Sequence, residues 1–136
     1  MPLPAEIVAQ LRQPHLKVNV GDIWRLPEKY AKYPGGKSRY CLIVALESAP
    51  GAQVPARAHY VAGSTKPGGQ PEVALDTGEA NLPQPTFFRI WWSGSIDLAC
   101  LVEVGEFKGR VAPGRREEIR VAIQASNLVA LKKLVG

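Results

Sequence analysis

Arg39 and the adjacent hydroxyls of Ser64 and Thr65 stand where predicted strands meet loops. Arg39 opens the apolar run RYCLIVAL, just after a Gly-bearing loop, and its planar guanidinium fork suits a phosphate better than a lysine ammonium does. Ser64 and Thr65 follow Gly63 after the run ARAHYVA, where two hydroxyls can donate to phosphate oxygens with close backbone approach. A surface ion pair for Arg39 and a turn-capping role for the hydroxyls are the alternatives. The pattern indicates a site for a phosphate-bearing ligand.

Arg89 is a further candidate cation, in the β-prone run FFRIWW. Its side chain should face away from those of Phe88 and Ile90, as a second phosphate donor, as an acid, or as an exposed strand residue with an ion partner. Trp91 and Trp92 follow and alternate faces. One of them is expected to pack in the core, and the other to lie at an interface or stack on a base.

Cations and aromatic rings interleave in segment 27–39, PEKYAKYPGGKSR. Before Arg39 the cations are Lys29, Lys32 and Lys37, and the rings are Tyr30 and Tyr33. The one acidic residue of the segment is Glu28. Such a loop suits single-stranded nucleic acid, because phosphates meet the cations while bases stack on the rings. A solvated loop made soluble by its lysines is the alternative. The formal net charge of +5 permits binding to a polyanion.

No residue is assigned as a general base. His59 lies on the predicted strand Ala56–Ala62, and imidazoles as a class suit proton transfer near neutral pH, yet a lone histidine on a strand is more often a packed residue. Further candidates are His15, Glu28, Tyr30 and Tyr33.

Neither the two cysteines nor the two histidines have the spacing of a metal-ligand set, so no metal and no cofactor is predicted. Cys41 and Cys100 lie in apolar runs and are expected to be reduced core thiols. No apolar run approaches the roughly 18–20 residues that cross a bilayer. The N-terminal segment lacks a charged leader followed by an apolar stretch. A cytoplasmic protein without a membrane partner is therefore expected.

Hydrophobic patterning predicts one mainly β (α+β) domain over 1–136, with 1–18 as an N-terminal extension bearing a short helix over 4–12. Five to seven antiparallel strands and a C-terminal helix after Pro113 indicate a small barrel or curled sheet. Ser126 and Asn127 are a point where that helix can be interrupted. The predicted strands are Asp22–Leu26, Arg39–Leu46, Ala56–Ala62, Glu72–Leu75, Phe87–Trp92 and Ile96–Val104.

The order of short motifs from about Val20 to Val135 resembles the MazF/PemK family, the toxins of bacterial toxin–antitoxin pairs. These motifs are GDIW (21–24), GGKSRYCLIV (35–44), YVAGST (60–65) with PEVAL (71–75), RIW (89–91) with SID (95–97), and GRVAP (109–113). Each motif is weak alone, and their shared order and spacing carry the resemblance.

The resemblance implies an SH3-like, MazF-like barrel that forms a homodimer and is neutralised by a cognate antitoxin protein. It implies a metal-independent endoribonuclease that cleaves single-stranded RNA through attack of the 2′-hydroxyl. Its catalytic residues would be Arg39, Ser64, Thr65 and Arg89. Its RNA-binding residues would be Lys29, Tyr30, Lys32, Tyr33, Lys37 and Trp91.

Two positions depart from the family pattern. Tyr40 follows the arginine where the family usually has proline, and Trp91 and Trp92 stand where many members have aspartate and glutamine. An acid proposed as general base in some relatives is therefore missing, and Asp97 matches a structural position instead. The departure keeps two other hypotheses open, a non-catalytic nucleic-acid-binding module on the same barrel and a protein-interaction barrel.

Overall fold

A computed structural model of the chain describes residues 17–27, 30, 39–69 and 71–135. The helix predicted over 4–12 and most of the basic loop lie outside these ranges. So do the candidate residues His15, Glu28, Lys29, Lys32, Tyr33 and Lys37.

The described residues form one six-stranded antiparallel sheet, which curls into a half-barrel. The strands are β1 (Asp22–Leu26), β2 (Arg39–Ser48), β3 (Pro55–Ser64), β4 (Glu72–Leu75), β5 (Thr86–Asp97) and β6 (Glu106–Arg110). Their order in the sheet is β4-β5-β3-β2-β1-β6. The predicted mainly β fold of five to seven antiparallel strands is confirmed.

Both faces of the sheet are covered, which explains why β2 is apolar along most of its length. Side chains alternate between faces along a strand. Leu42 and Val44 enter one cluster, the first core, together with Phe88 and Ile90 of β5 and residues of the C-terminal helices. The opposite face carries the second core, formed by Val18, Trp24, Leu26, Cys41, Ile43, Ala58, Tyr60, Ala62, Ile96, Leu98 and Leu101.

Three helices lie in the described C-terminal part of the chain: α1 (Leu98–Val104), α2 (Pro113–Gln124) and α3 (Val129–Val135). The predicted C-terminal helix is thus two helices, broken at the expected point. Ser126 causes the break, because its hydroxyl donates to the carbonyl of Ile123 at 2.6 Å and accepts the N–H of Leu128 at 3.2 Å. None of these helices is long and apolar enough to span a membrane.

The strand predicted over Ile96–Val104 is wrong beyond Asp97. Leu98 begins α1, and both Leu98 and Leu101 are fully buried in the second core. Residues three apart share one face of a helix but face opposite sides of a strand. The apolar run fitted either structure, and packing of these two leucines on one face of the sheet selects the helix.

A short 3-10 helix, Glu79–Asn81, joins the two ends of the curled sheet. It follows β4 in the chain and contacts β6 at the far end of the strand order. The side-chain amide of Asn81 donates to the carbonyl of Lys108 at 2.7 Å. A Cβ atom on Gly109 would lie 2.7 Å from the carbonyl carbon of Ala80, so glycine permits this close approach.

Candidate functional site

Arg39, Ser64 and Thr65 line one cleft. In the antiparallel β2–β3 pair, Cys41 lies opposite Ala62. Arg39, two residues earlier on β2, therefore stands beside Ser64, two residues later on β3. The cleft has a volume of about 140 Å³, and its described lining comprises Arg39, Tyr40, Gly63, Ser64, Thr65, Gln84 and Thr86. The chain thus brings a guanidinium and two hydroxyls to one strand end.

The guanidinium of Arg39 is held against an aromatic ring. The residue is only 9% exposed, and its Cζ lies 5.0 Å from the centre of the Trp92 ring. Attraction between a cation and the electron-rich face of an indole strengthens as water is excluded. The contact therefore restrains the charged group of Arg39 at the cleft wall.

The hydroxyl pair divides into two different environments. Ser64 is half-buried, and its Oγ accepts the N–H of Lys66 at 3.2 Å, which is the turn-capping role considered for it. Thr65 is exposed at the mouth of the turn. Gly63 serves packing, because a Cβ there would lie 2.6 Å from the Thr86 methyl group.

Arg89 contacts the same indole ring and also the hydroxyl-bearing turn. Its Cζ lies 4.2 Å from the centre of the Trp92 ring and 5.9 Å from that of Trp91. Its Nη2 donates to the carbonyl of Lys66 at 3.0 Å. Its Nε is buried and has no hydrogen-bond partner among the described residues. These contacts place Arg89 beside the turn that follows Ser64.

A bulge in β5 positions these side chains. Gly63 pairs with Phe88 and Val61 pairs with Ser93, so on the β3 side of the strand the four residues 89–92 stand against Ala62 alone. A bulge re-aims the residues within and beyond it. Simple alternation would put Trp92 on the face of Phe88, but the bulge turns it onto the second core beside Arg39.

The aromatic candidates are placed as follows. Trp92 is partly buried and packs against the second core, whereas Trp91 is 43% exposed. A role for Trp91 at an interface or in stacking on a base stays a prediction. Tyr30 is half-buried against the second core, and its carbonyl accepts a hydrogen bond from the hydroxyl of Tyr60 at 3.3 Å.

Lys66 is an exposed cation of the turn that follows Ser64. The sequence analysis did not single it out, although it directly follows the hydroxyl pair.

His59 lies outside the Arg39 cleft. It lines a separate cleft of about 460 Å³ with Ser93, Ser95 and residues of α3. Its Nε2 lies 2.8 Å from Oε1 of Glu47. The described lining of the Arg39 cleft contains no carboxylate and no imidazole. The structure therefore leaves the general base unassigned within the described residues.

Asp97 and the two cysteines have structural surroundings. Asp97 accepts a 2.9 Å hydrogen bond from Arg57 in an exposed ion pair. Both cysteines are free thiols. Cys41 is fully buried, and burial raises the pKa of its thiol above the ordinary value. Within the described ranges, no three His, Cys, Asp or Glu side chains cluster as a metal site.

The fold and the cleft define a mainly β half-barrel with a cationic, hydroxyl-bearing cleft at one end of its β2–β3 pair. No model of a known protein family matches the chain, and no curated protein matches it either.

Proposed function

We propose that this protein is a metal-independent endoribonuclease that cleaves single-stranded RNA, acting as the toxin of a toxin–antitoxin pair. The observation that carries the proposal is the shared cleft of Arg39, Ser64 and Thr65 at the β2–β3 strand end. The ordered motifs that resemble the MazF/PemK family support the same activity. Homodimer formation, a cognate antitoxin and a cytoplasmic location belong to the proposal through that resemblance.

The cleft suits cleavage in which the RNA itself supplies the nucleophile. The 2′-hydroxyl loses its proton and attacks the adjacent phosphorus, the bond to the 5′-oxygen breaks, and that oxygen takes up a proton. The products are a 2′,3′-cyclic phosphate and a 5′-hydroxyl. Arg39 donates to the phosphate oxygens as negative charge accumulates, with Thr65 as a second donor. DNA lacks the nucleophile and is not cut.

In this proposal, cations and aromatic rings around the cleft bind the single-stranded RNA. Lys66 at the turn adds positive charge close to the hydroxyl pair, and Trp91 presents an exposed ring for base stacking. Lys29, Tyr30, Lys32, Tyr33 and Lys37 complete the proposed RNA-binding set. Because the affinity comes largely from phosphate contacts, it should fall steeply with salt.

The test is incubation of varied single-stranded RNAs with the purified protein in chelator-containing buffer. The expected products carry 2′,3′-cyclic phosphate ends. Arg39→Ala should lower the cleavage rate by about 10²–10³-fold, the usual effect of removing one donor to developing charge. Arg57→Ala is the matched control, because Arg57 pairs with Asp97 away from the cleft and should leave the rate unchanged. Wild-type protein that leaves every RNA intact would refute the enzyme.

A non-catalytic nucleic-acid-binding module is the second candidate. It is favoured by the lack of any carboxylate or imidazole in the described cleft lining and by Trp91 in place of the family acid. It predicts salt-sensitive retention of RNA or DNA without cleavage. Recovery of intact RNA from the bound fraction would favour this module over the enzyme.

A further inference from the structure

One indole ring contacts two guanidinium groups. The Cζ atoms of Arg39 and Arg89 lie 5.0 Å and 4.2 Å from the centre of the Trp92 ring. The two carbons therefore lie no farther apart than the sum of these distances. Two cations so close repel each other, and the ring offsets part of that repulsion by attracting both. Trp92 thus fixes the two arginines relative to one another.

Arg89 extends this contact to the hydroxyl-bearing turn. Its Nη2 donates to the carbonyl of Lys66 at 3.0 Å, and the N–H of Lys66 donates to Oγ of Ser64 at 3.2 Å. An unbroken series of contacts therefore runs from the Arg39 guanidinium through Trp92 and Arg89 to the turn. The Nη2 contact with the Lys66 carbonyl and the buried Nε hold the Arg89 guanidinium beside the turn.

We propose that Trp92 and Arg89 are positioning residues, which together set the Arg39 guanidinium at a fixed distance from the Ser64 and Thr65 hydroxyls. For RNA cleavage this inference rests on the proposed function, whereas the contacts themselves do not. Small displacements of a donor to developing charge lower the rate strongly. Disturbing the stack of Arg39, Trp92 and Arg89 should therefore reduce kcat more than it raises KM.

Gly68 offers a way to disturb the stack without removing any of its members. A Cβ atom at this position would lie 2.5 Å from Nε and 2.8 Å from Cζ of Arg89. Gly68→Ala should therefore push the end of the flexible Arg89 side chain away from Trp92 while the backbone stays in place. Gly114→Ala is the matched control, because nothing lies within 4 Å of its Cβ position.

The first measurement is the position of the arginine Nε–H signals in the ¹H–¹⁵N spectrum of the full chain. Ring current from Trp92 should displace the signals of Arg39 and Arg89 from those of other arginines. Trp92→Leu should abolish the displacement of the Arg39 signal and reduce that of Arg89, whose Cζ also lies 5.9 Å from the centre of the Trp91 ring. Gly68→Ala should reduce the displacement of Arg89. Trp92→Phe keeps an aromatic face and should retain part of each. Unchanged Arg39 and Arg89 signals in Trp92→Leu would overturn the proposed stack, whether or not RNA is cleaved.

The second measurement is the cleavage rate. Trp92→Leu and Gly68→Ala should each lower kcat about tenfold, the scale of one desolvated cation–ring contact. Trp92→Phe should recover most of the loss, and Gly114→Ala should match wild type. Wild-type rates in both Trp92→Leu and Gly68→Ala would overturn the positioning role while the ribonuclease stands. If the wild-type protein cleaves no RNA, the proposed ribonuclease activity is refuted. The spectrum alone then tests whether Trp92 contacts both arginines.

Discussion

Arg110 of β6 and Asp22 of β1 form an ion pair whose carboxylate is completely buried. Arg110 Nε donates to Asp22 Oδ1 at 2.7 Å, and the backbone N–H of Asn19 donates to Oδ2 at 2.8 Å. Asp22 has no exposed surface, while 47% of the Arg110 side chain is exposed. The two residues belong to the first and last motifs of the resemblance. Their pairing fastens the neighbouring strands β1 and β6.

Asp22→Ala should destabilise the fold. The change removes the acceptor of the Asn19 N–H and the counter-ion of Arg110, two hydrogen bonds to a buried carboxylate whose loss costs about 1–3 kcal/mol. Urea unfolding measures the free energy. Asp97→Ala is the comparison, because its ion pair with Arg57 is exposed and should cost less than about 1 kcal/mol. Equal losses in the two variants would contradict the structural role of Asp22.

Gly109→Ala tests the closure of the half-barrel. The added methyl group would meet the carbonyl carbon and oxygen of Ala80 at 2.7 Å, and backbone cannot move aside as a side-chain tip can. We expect a loss of about 1–3 kcal/mol of unfolding free energy. Gly114→Ala, at an open position in α2, should leave stability unchanged or raise it slightly. A Gly109→Ala variant as stable as wild type would show that β6 does not need this contact.

The ion pair of Glu79 and Arg115 should make the free energy of unfolding depend on pH in the acidic range. The side-chain hydrogen bond from Arg115 lowers the pKa of the Glu79 carboxyl below its ordinary value of 4.5. A group whose folded-state pKa is lowered stabilises the fold above its ordinary pKa, and this contribution is lost as pH falls through the lowered value. Glu79→Gln should therefore be less stable than wild type at neutral pH.

The difference between wild type and Glu79→Gln should shrink as pH falls below about 4.5, as followed by thermal unfolding across a pH series. Glu103→Gln removes an exposed carboxylate of α1 and serves as the control. A gap that stays constant into strong acid would exclude the Glu79–Arg115 pair as its source.

Ser64 and Thr65 should differ when each is changed alone. Ser64→Ala removes the acceptor for the N–H of Lys66 and should cost about 0.5–1.5 kcal/mol of stability as well as activity. Thr65→Val keeps the shape of an exposed side chain, so its stability should stay within about 0.5 kcal/mol of wild type. Its cleavage rate should fall about 10–100-fold through loss of one donor. Unfolding and RNA cleavage measured on the same preparations separate these effects, and a fully active Thr65→Val would remove Thr65 from the mechanism.

Residue patterns in the chain predicted most of the strands and three of the residues that line the cleft, Arg39, Ser64 and Thr65. The predicted bounds of β1 and β4 match the observed ones, and the apolar, β-branched run of β2 predicted the central strand that the sheet contains. Antiparallel pairing then brings the start of β2 beside the end of β3, so that Arg39 meets Ser64. These features follow from local periodicity and from the pairing of strands that are consecutive in the chain, and both can be inferred from the sequence.

The orientation of the Trp92 side chain and the end of β5 were not predictable from the residue pattern. Alternation assigns Trp92 to the face of Ile90, but the bulge opposite Ala62 turns it toward Arg39 and Arg89. The helix beginning at Leu98 likewise depends on the packing of its leucines in the second core. A bulge and a choice between helix and strand are settled by contacts between distant segments, and local residue patterns do not encode those contacts.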